Sequence, residues 1–203
     1  MTQRLNRFIF CVWVILCAIG LGAVSLHSFD GIVPDSTDNG RWPQDSRLIQ
    51  DPHERLVIFI HPQCPCTQAT LSELEAVLAR QSVATTLVIS AIDPEWLDSK
   101  VMQHIKRMQS RYPAFVDVLL DTDASESECF GATASGHCMY FNRQGQKVFS
   151  GGITASRGHV GDNDARYRLM ELIQSSSEVQ GLEDPSLFPV FGCRLPTKTA
   201  GVL

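Results

Sequence analysis

Hydrophobic and polar positions follow three regimes along the chain. Residues 8–26 form one uncharged, apolar stretch of about 19 residues, just long enough to span a bilayer. Residues 29–51 are polar, with Asp, Gly and Pro, and read as a tether that packs locally through Trp42. Beyond them, short apolar runs alternate with amphipathic stretches. Residues 56–60, LVIFI, are rich in Val, Ile and Phe and are stopped by Pro62, which predicts a buried strand. The following TQATLSELEAVLAR places Leu71, Leu74, Val77 and Leu78 at helical spacing. That helix starts at Thr67 or at one of two capping boxes, Thr70 with Glu73 or Ser72 with Glu75.

The alternation continues. Residues 85–91, TTLVISA, predict a second buried strand, and residues 95–112 a helix with Leu97, Val101, Ile105 and Met108 on one face, ended by Pro113. Residues 115–121, FVDVLLD, predict a third strand, and an acidic turn then leads into a short helix near Cys129. HCMYFN and KVFSG are the arms of a hairpin with Gly145 in its turn. A glycine-rich loop, GGITASRGHVGDN, precedes a last helix from about Asp164, where Leu169, Leu172 and Ile173 face the sheet. Residues after 178 read as an irregular tail. The order βαβαβ, short helix, ββα predicts an α/β fold with a central mixed sheet and helices on both sides.

At 203 residues the chain suits one domain plus an appendage. A formal net charge of −5 and the lack of a basic cluster exclude an electrostatic nucleic-acid binder. Arg4 and Arg7 precede the apolar stretch, so the positive-inside tendency keeps them cytoplasmic and puts everything after Ser28 on the exoplasmic, periplasmic side. Residues 1–28 are therefore read as a single-pass membrane anchor. A cleaved signal peptide, with small residues at Ala23 and Ser25, is the alternative.

Export matters for the seven cysteines. Cys11 and Cys17 lie in the apolar segment, leaving Cys64, Cys66, Cys129, Cys138 and Cys193 in an oxidising compartment. Cys64 and Cys66 stand between a predicted strand and a predicted helix. The helix start carries unpaired N–H groups and partial positive charge, which favour the reactive thiolate in a nearby cysteine. Pro65 stiffens the link between them. A disulfide across one residue closes a small, strained ring that is easily reduced, which suits catalysis better than structural bridging.

The segments VIFIHPQCPC, FVDVLLDTD and FGATASGHCMYFNRQG resemble the thioredoxin-like superfamily, in particular its membrane-anchored redoxins of the TlpA and ResA type and the proteins labelled RedB. They are similar to that branch's strand with W-C-x-x-C turn, its F-P-V-L-L-D strand, and its Y-G-V-x-G-V-P-T-x-F-L-I-D-x-x-G stretch. The resemblance covers residues 56–173. It implies a thioredoxin-like three-layer α/β/α domain over residues 52–178, followed by an irregular tail, residues 179–203. It also implies thiol–disulfide oxidoreductase activity on protein thiols or disulfides without a cofactor, with Cys64 attacking and Cys66 resolving. Two departures stand out: a single residue separates the cysteines, and the family's cis-proline falls on Gly136, leaving room beside the thiols, with His137 adjacent.

Two other readings stand beside it: a redox-inactive thioredoxin-fold interaction domain in which the thiols are bystanders, and one that uses the same thiols as soft ligands. Cys64, Cys66, His61 and His137 form a copper site if they converge, as in thioredoxin-fold copper chaperones of the Sco type. Peroxidase chemistry is excluded by pattern, since His61 and Gln63 stand where that family needs Thr or Ser three residues before the reactive cysteine. Arg157, His159 and Asp162 decorate the long loop as partner-recognition candidates. Cys193 is open to three fates: a third exchange partner, a bridge to Cys138, or a free thiol. Cys129 and Cys138, in apolar surroundings, read as buried inert thiols.

Overall fold

A computed structural model of the chain describes residues 2–34, 40–48, 53–91, 93–175 and 186–197. It comprises two units, one ending at Asp30 and one beginning at Gly31. The first is a single helix, α1 (Thr2–Phe29), long and apolar enough to cross a membrane. Its 28 residues give a rod of about 42 Å, against a hydrocarbon core of about 30 Å. Phe8, Ile9, Trp13, Leu16 and Ile19 are exposed around it, a surface suited to lipid rather than water.

The second unit is built on a six-stranded sheet in the order β3-β2-β1-β4-β5-β6. Its strands are β1 (Arg55–Ile60), β2 (Ala84–Ser90), β3 (Val116–Asp121), β4 (His137–Phe141), β5 (Lys147–Gly151) and β6 (Ser186–Leu187). β1, β2 and β3 run parallel, β4 is antiparallel to β1 and to β5, and β6 is parallel to β5. The helices are α2 (Thr67–Leu78), α3 (Lys100–Arg111), α4 (Ser125–Cys129) and α5 (Asp164–Gln174). β1, β2 and β4 are buried on both faces, as their continuous apolar runs require.

The two sheet faces are covered unequally. β1 to β2 and β2 to β3 step in the same direction, and right-handed crossovers then put α2 and α3 on one face. There Leu71, Leu74, Ile105, Met108, Leu169 and Leu172 pack on Leu56, Ile58, Ile60 and Tyr140. The opposite face carries Val57, Phe59, Met139 and Phe141 under Trp42, Phe130 and Leu195. The mixed sheet and the three layers match expectation. The second layer, however, is one short helix plus extended chain.

One boundary differs from the sequence pattern, and two alternatives left open by it are decided. The helix expected over residues 95–112 divides into a 3₁₀ turn, Pro94–Asp98, and α3. Ser99 divides it by accepting the Met102 N–H at 3.2 Å, which makes it a fresh N-cap. α2 starts at Thr67, so both capping-box candidates lie inside it, and Ser72 Oγ bonds the Gln68 carbonyl instead. The polar tether is docked over residues 40–48: Trp42 meets Phe141 and Phe130 edge-on at 4.9 and 5.3 Å, and Arg47 pairs with buried Asp121 and Glu126.

Part of the expected irregular tail is also structured. Residues 186–187 add β6, Val190 and Ile32 exchange two backbone hydrogen bonds, and residues 193–195 run along residues 133–135. Its partners lie far away in sequence, so local periodicity carries no trace of them.

One buried ion pair ties α2 to α5. Glu73 accepts from Arg166 and from the Gly161 N–H, and Arg166 also holds Asp162. Glu73→Ala leaves the guanidinium without its buried counter-charge and is expected to destabilise the domain by about 3–5 kcal/mol, read as a lower urea midpoint at unchanged m-value.

Candidate active site

β1 ends at Ile60, and the chain turns through residues 61–66 directly into α2. The Cys64 N–H bonds the His61 carbonyl at 3.1 Å, and the Thr67 N–H bonds the Cys64 carbonyl at 3.2 Å, a tight turn that Pro65 accommodates because it has no N–H to place. Cys66 is the N-cap residue, already in helical conformation and with no side-chain cap bond. Both thiols thus stand at the positive end of α2.

A second loop closes over this turn. Ser135 Oγ accepts the His61 N–H at 2.8 Å and shares a hydrogen bond of 2.7 Å with the Thr67 hydroxyl. Gly136 donates its N–H to the Phe59 carbonyl at 2.7 Å. It adopts φ +89°, and a Cβ there would lie 2.7 Å from Thr70 Oγ1, so both backbone and packing require glycine. The room expected at the cis-proline position is therefore filled by Thr70.

The third wall comes from the C-terminal segment. The Cys193 N–H donates to Cys64 Sγ at 3.2 Å, and the Ser135 N–H bonds the Cys193 carbonyl at 2.8 Å. Cys64 is only 1% exposed. Burial alone would push its thiol up, but hydrogen bonds from the Cys193 thiol and N–H, the Thr67 hydroxyl and the Cys66 N–H outweigh it and hold Cys64 below the ordinary thiol range. Cys66 moves the opposite way, through burial and the neighbouring Cys64 charge, with Arg157 opposing. Cys193 is pushed up to about 12 by burial and by Cys64, again with Arg157 opposing. Arg157 Nη1 also bonds the Gly192 carbonyl at 3.1 Å. Cys64 is the thiol of the cluster on which the donors converge. A groove of about 450 Å³ beside it is lined by Pro62, Gln63, Pro65, Gln68 and Ser99.

The predicted metal set does not converge. His61 Nδ1 accepts the Gln63 N–H at 3.2 Å, its ring lies 4.8 Å from Trp96, and burial lowers its pKa. His137 pairs with Phe59 across β4 and β1 and so shares the face opposite α2, where Nε2 bonds Ser150 Oγ at 2.9 Å. Among the described residues, no group of three or more His, Cys, Asp or Glu is placed to hold a metal ion. Cys138 is buried, its thiol bonds the Gly136 carbonyl, and burial pushes it up. Of the loop candidates, Arg157 bonds the Gly192 carbonyl and lies beside Cys66, Asp162 is held by Arg166, and His159 is exposed. Thr67 and Ser135 belong to the site but were not singled out by sequence, where a hydroxyl residue without a motif carries no signal.

The pH dependence follows from these opposed shifts. A thiol with a lowered pKa keeps its thiolate at lower pH and loses reactivity only as pH falls through that value. In the reduced protein, the iodoacetamide profile of Cys64, followed by mass spectrometry, is expected to have a lower midpoint than that of Cys66. Thr67→Val should move the Cys64 midpoint upward, and the reverse order of the two midpoints would contradict the assignment.

No family model matches the chain, and no curated protein matches it. Solved structures do. A hypothetical protein from Sinorhizobium meliloti is similar at 18% identity and TM-score 0.56, over 84% of this chain and 92% of that one. An uncharacterized conserved protein from Geobacillus kaustophilus is similar at 16% identity and TM-score 0.54, over 83% and 93%. A secreted Mycobacterium tuberculosis disulfide oxidoreductase homologous to Escherichia coli DsbE is similar at 12% identity and TM-score 0.40, over 62% and 84%. With β1 leading through Cys64-Pro65-Cys66 into α2 at the centre of a mixed sheet, and the β4–β5 hairpin and α5 closing it, the chain has the thioredoxin-like fold.

Proposed function

We propose that this protein is a membrane-anchored thiol–disulfide oxidoreductase whose domain faces the exoplasmic, periplasmic side and acts on protein thiols or disulfides. The observation that carries the reading is the placement of Cys64, buried at the turn into α2 with the Cys193 N–H on its sulfur and Cys66 at the helix N-cap. Arg4 and Arg7 before an apolar helix support the orientation.

In the reducing direction, Cys64 thiolate attacks one sulfur of a partner disulfide. A mixed disulfide forms, and the first partner thiolate leaves and takes a proton. Cys66 then attacks Cys64 Sγ, which releases the second partner thiol and leaves an intramolecular disulfide. Two electrons pass to the partner, and the reverse sequence oxidises it. Sulfur exchange of this kind needs no organic cofactor. The direction follows from the reduction potential of the site relative to the partner's.

Trapping checks this reading. With Cys66 and Cys193 both changed to Ser, the full chain in detergent should accumulate a mixed disulfide at Cys64 when mixed with glutathione disulfide, seen by mass spectrometry. Cys64→Ser should form none at the site and lose exchange activity. Undiminished exchange by Cys64→Ser would sink the proposal.

A further inference from the structure

The third cysteine of the site comes from the far end of the chain. Its approach is built rather than incidental. Gly192 lies so close to the loop over residues 133–135 that any Cβ there would fall on the Ser135 carbonyl oxygen. The Ser135 N–H bonds the Cys193 carbonyl at 2.8 Å, the Leu195 N–H bonds the Thr133 carbonyl at 3.0 Å, and Arg157 holds the Gly192 carbonyl at 3.1 Å. An extended segment is thus clamped on both sides of Cys193, whose own N–H points at Cys64 Sγ from 3.2 Å.

We propose that Cys193 is a resolving thiol for Cys64, so that the C-terminal segment is an exchange partner built into the domain and the product disulfide joins Cys64 to Cys193. This rests on the oxidoreductase reading above and names a second route for its second step. Cys64 thiolate attacks a partner disulfide, a Cys64–partner bond forms, and the first partner thiolate leaves and is protonated. Cys193 gives up its proton and attacks Cys64 Sγ. The Cys64–Cys193 bond forms, the mixed disulfide breaks, and the second partner thiolate takes up a proton. One partner disulfide is reduced to two thiols while Cys64 and Cys193 are oxidised, a balanced two-electron exchange.

Two physical arguments favour this route. Cys66 closes a ring across one residue from a backbone fixed as the N-cap of α2, whereas Cys193 arrives from a separate segment without that ring strain. Charge also favours the timing. While Cys64 is a thiolate it opposes ionisation of Cys193, but in the mixed disulfide that charge is gone and the Arg157 guanidinium remains.

Cys66→Ser separates the routes. The full-length variant in detergent, reduced and mixed with glutathione disulfide, is expected to form a transient Cys64–glutathione species that decays to a Cys64–Cys193 disulfide, recovered as a cross-linked peptide pair. Adding Cys193→Ser should lengthen the life of the mixed disulfide by on the order of tenfold or more, because the pre-positioned thiol is lost. Adding Gly192→Ala instead keeps the thiol, displaces the segment, and should also prolong it. Equal lifetimes with and without Cys193, and Cys193 recovered as a thiol, would overturn this inference while the oxidoreductase reading stands. If Cys64 takes up glutathione in none of the variants, both fall together.

Discussion

Ser135 is the junction on which the site depends. Its hydroxyl receives the His61 N–H and bonds Thr67, so it joins the end of β1 to the first residue of α2. Its backbone N–H holds the Cys193 carbonyl. A single buried residue thereby sets the spacing between the turn that carries Cys64 and the segment that carries Cys193. Gly136 reinforces this closure, because it lets the loop approach Thr70 as closely as it does. Buried hydroxyls of this kind tolerate little change, since each partner left unpaired meets the full cost of desolvation.

Placing three thiols together forces them to share charge unequally. Neighbouring thiolates repel, so stabilising one raises the others. Here the donors converge on Cys64, while Cys66 and Cys193 are held in the protonated form with Arg157 as their nearby cation. In the proposed exchange this divides labour by electrostatics: one sulfur attacks, and the other two become better nucleophiles once its charge is consumed in a bond.

The uneven layering of the domain serves the same end. With α2, α3 and α5 on one face, the other face is closed by the segment over residues 40–48, by α4 and by Leu195. Residues 40–48 and Leu195 are therefore both used in packing. The Arg47 pairs with Asp121 and Glu126 anchor the entry, and the Ile32–Val190 bridge ties entry to exit. A C-terminal segment fastened this way can present Cys193 with the precision of a core strand.

Much of the fold was legible in the sequence, since the runs LVIFI and TTLVISA and the helical spacing of Leu71, Leu74 and Val77 are local signals of burial. The CPC turn was legible for the same reason, as strand, thiols and helix are consecutive. The split at Ser99 and the reach of Arg157 were less so, because a cap or a long side chain competes with periodicity only once its partner is in place. His137 shows the limit most clearly: the family resemblance put it beside the thiols, while strand register turned it to the opposite face and onto Ser150. The sequence by itself determined the strands, the helices, the apolar N-terminal stretch and the Cys64–Cys66 pair, all of which follow from neighbours a few residues apart. Only the tertiary structure decided that Cys193, Thr67 and Ser135 belong with them and that His137 does not, because those contacts form between segments as many as 129 residues apart, beyond the reach of any local pattern.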